Sequence, residues 1–201
     1  MDAADSPAAT PMTQVPGEDR HVALALVNTE FDRPQGPYDG LGDAHGAIAW
    51  LTERGLVPPG VAIGEQERER LCRLRHSLRK LLDAHVRDTT PDPTALSALN
   101  KALATAPAVR EVRWEEERAV VVTRHPGDDA LDVAVTVIAE DGVDLLTGPP
   151  SGRLAVCGAS GCTRLFVRNH GARRWCSDRC GNRVRAARHY LDHRSPQHPP
   201  A

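Results

Sequence analysis

Residues 174–183 read RWCSDRCGNR. Two cysteines stand among arginines with three residues between them, and a Gly-Asn-Arg follows the second. Another close pair precedes them, so this end of the chain holds Cys157, Cys162, Cys176 and Cys180, spaced C-x4-C, thirteen residues, then C-x3-C. Two close pairs with such a gap are a zinc pattern. The ion takes four ligands at tetrahedral corners, thiolates suit it, and each pair supplies two ligands from one turn of chain. CGASGC (157–162) carries two glycines and a serine, which let the chain fold back around an ion. In WCSDRC (175–180), Ser177 is a candidate helix cap. Cys180 then falls in the first helical turn, where the dipole favours thiolate charge.

Between the pairs, TRLFVRNHGARRW (163–175) predicts a strand at Leu165 and Val167 with a turn at Asn169–Gly171. Knuckle, hairpin and helix give a treble-clef-like outline, and a closed site of four protein ligands is structural rather than catalytic. Its expected core of Leu165, Phe166, Trp175, Val184 and Leu191 is too small to fold without the ion. Two alternatives use the same residues. Disulfides would require a secreted protein. A mixed site using His189 and His193, four apart on the last helix, would leave two thiolates idle. The fifth cysteine, Cys72, lies beside leucines and reads as a small buried apolar residue.

The chain has 201 residues, 40% hydrophobic and only 3% aromatic, so its core is built mainly of Leu, Val and Ala. No apolar run approaches the roughly 20 residues of a membrane span. The first 20 residues, MDAADSPAATPMTQVPGEDR, lack the architecture of a secretory signal. The expectation is a cytoplasmic protein with reduced thiols. The net charge of −2 hides a split. Ser151–Ala201 holds ten Arg, no Lys and two acids, +8, while the other 150 residues hold 15 basic and 25 acidic groups, −10. An acidic body with a basic tail points to nucleic acid. A solvated basic surface, or a tail docked on the body, would carry the same charges.

Residues 1–19 are Ala/Pro/Asp-rich without periodicity and predict a disordered tail. HVALALVNTEF (21–31) is either a short strand or a buried helix, and GPYDG (36–40) predicts a turn. Asp43 can cap a helix over 44–54. The clearest helix spans 65–87, with Leu71, Leu74, Leu78, Leu81 and Leu82 at helical spacing, and a shorter one follows over 94–105. VREVRWEEERAVVVTRH (109–125) reads as a hairpin. DDALDVAVTVIAEDGVDLL (128–146) has the valines of a strand but the spacing of a helix, and period decides for helix. TGPPSGR (147–153) has the composition of a linker and marks the change in charge. The expected units are a tail (1–19), a helical domain (20–147), a linker (148–153), a finger (154–194) and a second tail (195–201).

NRVRAARHYLDH (182–193) continues from the zinc pattern as a helix. Val184, Ala187 and Leu191 share a face expected to pack on the hairpin. Asn182, Arg185 and His189 share another, with Arg179, Arg183 and Tyr190 beside it and Arg188 farther along. Such a face suits a groove: arginine pairs bidentately with guanine or phosphate, and asparagine can read adenine. Arg168, Arg173 and Arg174 could add phosphate contacts. Asn182 and Arg183, next to a ligand, could instead orient the metal site. The N-terminal part has no Gly-rich phosphate loop and no G-x-S-x-G elbow. His21, Asn28, His45 and Trp50 are its candidate pocket residues.

The C-x4-C pair followed by RRWCSDRCGNR (173–183) resembles the CGNR-type zinc finger of bacterial proteins. LALVNTEF (24–31), AIAWLTERGL (47–56), LRHSLRKLLDAHV (74–86) and ALSALNKAL (95–103) resemble the ABATE domain that precedes this finger. Together these cover about residues 21–194. The resemblance implies a stress-induced transcription regulator that binds DNA through a finger whose zinc ligands are Cys157, Cys162, Cys176 and Cys180. Many members have FVNT where this chain has LVNT. Some have four residues between the last two cysteines, which moves the helix start by one position. The expected fold is α+β: a mainly helical N-terminal domain with a small β-hairpin, then a treble-clef-like finger. The expected function is non-enzymatic: one zinc ion, DNA as partner, and a body that senses a small-molecule effector or dimerises. A single finger gives little contact for tight specific binding, which favours a homodimer. A zinc-stabilised protein-interaction module and a nuclease using His170 are the competing readings.

Overall fold

Leucines at helical spacing build the frame. The computed structural model describes residues 15–126 and 129–194. In it Leu71, Leu74, Leu78, Leu81 and Leu82 are buried along one side of α3 (Glu65–Arg87). Around this helix pack α1 (Val22–Val27), α2 (Ala44–Glu53), α4 (Pro93–Leu103) and α5 (Ala130–Thr147). The ambiguous apolar run resolves as α1, where Ala23, Leu24, Ala25, Leu26 and Val27 are all buried. A helix with no solvent face shows no helical period, which is why its spacing was uninformative. Where α5 crosses α3, a Cβ on Gly142 would lie 2.4 Å from Leu78 Cδ2, so a side chain here would displace the leucine from its packed position.

The helix starts follow capping chemistry. Asp43 accepts the Gly46 N–H (2.7 Å), Asp92 the Thr94 N–H (2.8 Å) behind Pro93, and Asp129 the Leu131 N–H (2.8 Å). Period does outrank valine propensity over 130–147. The stretch 36–40 contains more than a turn: β2 (Tyr38–Asp39) pairs antiparallel with β1 (Glu30–Phe31). Buried Arg75 of α3 clamps this ribbon, donating to both Asp39 oxygens and to Thr29 Oγ1 (3.0 Å). Those bonds hold the Asp39 carboxyl below its usual range. The 109–125 hairpin forms as β3 (Val109–Glu115) and β4 (Arg118–Arg124), joined by Glu116-Glu117 with φ of 44° and 70°.

Three expectations are corrected where the finger meets the body. Residues 15–19 belong to the fold: Val15 is 1% exposed, and the Pro16 carbonyl accepts the Val167 N–H (2.9 Å). The rest of the first tail, and the second tail over 195–201, lie outside the described residues. The 148–153 segment is not a free linker, because Pro150 is buried and Ser151–Arg153 form a 3-10 turn. The finger's strands are β5 (Leu154–Val156) and β6 (Leu165–Val167), paired across the first cysteine loop. β6 therefore pairs with the chain before Cys157, not with residues beyond the turn at 169–171.

This small sheet is buried on both faces. Leu154, Leu165 and Val167 join the core of the helical body, while Ala155 and Phe166 pack against the cysteines. The two-residue period of a strand thus sends alternate side chains to two cores. β6 also has a covered outer edge. Asn28 accepts the Leu165 N–H (3.0 Å) and donates to the Leu165 carbonyl (2.8 Å), replacing a neighbouring strand with a side-chain amide. Among the described residues no helix is long and apolar enough to cross a membrane.

Candidate metal centre and basic helix

Two short elements bring four sulfurs together. Cys157 and Cys162 bracket the β5–β6 loop, and Cys176 and Cys180 bracket the start of α6 (Asp178–Arg194). Ser177 caps that helix, its Oγ accepting the Cys180 N–H (3.3 Å). The Gly158 N–H to Arg174 carbonyl bond (2.9 Å) joins the halves, and the Cys176 N–H points at Cys157 Sγ (3.4 Å). All four Sγ atoms lie within 4.8 Å of one another. Cys162 and Cys176 are 3.8 Å apart and Cys176 and Cys180 3.7 Å. Zinc–sulfur bonds of about 2.3 Å at tetrahedral angles put thiolates about 3.8 Å apart. A disulfide needs about 2.05 Å. The cluster therefore fits one zinc ion, held by Cys157, Cys162, Cys176 and Cys180, and all four are free thiols rather than bridges. Hydrogen bonds from Cys162 and Cys176 push the Cys157 thiol far down, and the same bonds push Cys162 and Cys176 up.

The arginines divide by role. Arg183 donates to the Ser160 carbonyl in the first loop (2.8 Å), and Arg173 donates to the Trp175 carbonyl (3.0 Å). Both brace the metal site. Gly181 sits against the Trp175 ring, where a Cβ would meet Cε3 at 3.1 Å. Arg168 is half-buried, with its Nε unpartnered among the described residues, beside Arg20, His21 and Arg153 around a cavity of about 550 Å³. Arg174, Asn182, Arg185, Arg188 and His189 are exposed. Asn182 Oδ1 accepts from Arg185, whose guanidinium lies 5.7 Å from the Trp175 ring centre.

Beyond Val184, α6 leaves the rest of the molecule. Residues 185–193 are all exposed, including Ala187 and Leu191 (65%). The expected packing of Ala187 and Leu191 on the hairpin does not occur, because the sheet they would meet is turned into the body. His189 and His193 stack on each other at 4.0 Å and take no part in the cysteine cluster.

The suggested pocket residues of the body do not meet. Asn28 is 2% exposed and spent on Leu165 and Glu18, His45 is exposed on the first turn of α2, and Trp50 is half-buried with Arg54 near its ring. His21 Nδ1 lies 2.7 Å from Asp141, which also accepts the Ala23 N–H that opens α1. Sequence reasoning missed Arg79 and Arg164. Arg79 donates to the Thr163 carbonyl (2.6 Å) and the Val27 carbonyl (2.8 Å), and Arg164 lies 3.6 Å over the Phe31 ring. Nothing local in the sequence marks them, since these partners are 49 or more residues away.

A helical N-terminal domain and a four-cysteine finger define a zinc-finger protein. Residues 20–149 match ABATE, described as "Putative stress-induced transcription regulator", and residues 153–192 match the CGNR zinc finger. The chain belongs to the ABATE family and carries its finger in the C-terminal part. No curated protein matches it.

Proposed function

We propose that this protein is a DNA-binding transcription regulator whose finger helix meets duplex DNA. One observation carries the reading: α6 continues past its last packed residue as an exposed, basic rod bearing Arg185, Arg188 and His189. It stands on a body whose first 150 residues carry ten more acids than bases. Repulsion between that body and phosphate directs DNA to the projecting helix. Arg174 and Arg179, exposed near its base, are placed for backbone contacts, whereas Arg173 and Arg183 serve the finger's own structure. The helical body supplies a sensor or a second copy. A reducing cytoplasm suits the thiolate site, and the role is non-enzymatic; cleavage of plasmid with added magnesium or manganese would overturn that part.

The test is a salt titration of zinc-loaded protein on mixed duplex DNA, beside Arg185→Ala/Arg188→Ala. The expected log–log slope is about −0.9 per phosphate contacted, shallower by about two such contacts in the variant. Absence of binding by either protein at low salt sinks the reading. The exposed Leu191 would then favour a protein partner for α6.

A further inference from the structure

One element is used neither by the core nor by the finger. The β3–β4 hairpin forms a separate two-stranded sheet, with no third strand at either edge among the described residues. Its root is tied down where His125 meets the Ala106 carbonyl (2.7 Å). Its strands expose Val112 (72%), Trp114 (74%) and Val121 (54%), the most exposed of the large apolar side chains on the body among the described residues. The register sets Val112 opposite Val121 and Trp114 opposite Ala119, so these residues share one face. A lone two-stranded hairpin is marginal in water, and an open apolar edge is a template for another strand.

The register also tells which edge is available and to what. In a two-residue hairpin the closing pair, here Glu115 and Arg118, exchanges its backbone bonds, and so does every second pair behind it. The N–H and C=O groups of Arg110, Val112 and Trp114 therefore point outward from β3. A second copy of β3 can meet them in antiparallel fashion about a two-fold axis. The pleat and face matching leave three central registers. Centring on Glu111 opposes Glu111 to itself. Centring on Arg113 opposes Arg113 to itself and Glu111 to Glu115. Centring on Val112 opposes Glu111 to Arg113 of the second copy, twice, and places Trp114 opposite Arg110 of the second copy, twice. The first pairing is complementary in charge, and the second juxtaposes a guanidinium with an indole. The same operation on β4, centred on Val121, sets Arg118 against Arg124 twice and is disfavoured.

We propose that two copies of this chain join through β3, antiparallel about Val112, into a continuous four-stranded sheet. The interface is isologous, as a two-fold requires. It deepens the dimerising role given above to the body and rests on that role alone, because DNA enters nowhere in the argument. A monomer that still binds DNA would sink this inference and leave the proposed function standing. A dimer that ignores DNA would do the reverse.

The experiment is sedimentation velocity on the full zinc-loaded chain across micromolar to hundreds of micromolar concentrations at low salt. Wild type should show a concentration-dependent dimer. Glu111→Arg and Arg113→Glu each create two like-charge pairs and should weaken it at least about tenfold. Mixed in equal amounts, the two single variants regain both complementary pairs and should form a heterodimer near wild-type strength. The double variant Glu111→Arg/Arg113→Glu is again self-complementary and should dimerise by itself. Rescue in the mixture or the double variant separates a broken interface from a broken fold. A wild type that stays monomeric throughout, single variants that dimerise like wild type, or failure of both rescues would each overturn the proposal.

Discussion

At the scale of single residues, the LVNT stretch at 26–29 has a structural meaning. Asn28 satisfies both backbone groups of Leu165, and Thr29 takes a hydrogen bond from Arg75 while donating to the Leu26 carbonyl (2.7 Å). Asn28→Ala would leave a buried N–H and C=O without partners, each costing about 1–3 kcal/mol. Chemical denaturation should show a loss of about 3 kcal/mol. Asn28→Asp should fare no better, because its carboxylate would face the Leu165 carbonyl and Glu18, a group whose own pKa burial already raises. Asp39 offers a pH test. Its folded-state pKa is depressed, so its contribution is present above the unfolded value and is lost as pH falls through the folded one. Asp39→Asn should cost about 2 kcal/mol at neutral pH. The gap to wild type should close once Asp39 itself is protonated, as urea midpoints at pH 7 and in strong acid would reveal. A gap unchanged by acid would remove the ion pair from the account.

At the scale of elements, the sequence spoke clearly wherever a pattern was periodic or a cap was local. The leucines of α3, Asp43 at the start of α2, and the cysteine spacing all resolved as read. What failed to show was pairing over distance. The partner of β6 lies before the first cysteine, and the residues that dock the finger, Asn28, Arg79 and Arg164, reach across more than 50 positions. The fully buried α1 had no polar face to give it a period. Composition at 148–153 suggested freedom, yet burial of Pro150 decides otherwise. The β3–β4 turn was visible as a hairpin, but not its strain. Glu116 and Glu117 both hold positive φ, which costs L-residues about 1–2 kcal/mol each, while Asn-Gly adopts this turn readily. Glu116→Asn/Glu117→Gly should slow hydrogen exchange at the β3 and β4 amides several-fold. Unchanged exchange would mean that the turn does not limit hairpin stability.

For the whole molecule, one sheet belongs to two cores. Ala155 and Phe166 face the thiolates while Leu154, Leu165 and Val167 face the helices, so loss of the metal should be felt well beyond the finger. Removing zinc with a chelator should lower the thermal midpoint of the helical signal, not merely melt residues around the cysteines. A helical transition indifferent to chelation would show two independent folding units. The same arrangement bears on anyone who would divide this chain at its family boundary near residue 150. The severed body would present a greasy socket where three side chains used to sit, together with an asparagine whose side-chain oxygen has lost its donor. Such a fragment should clump or refuse to express, and its misbehaviour would say nothing about whether the intact chain is well behaved.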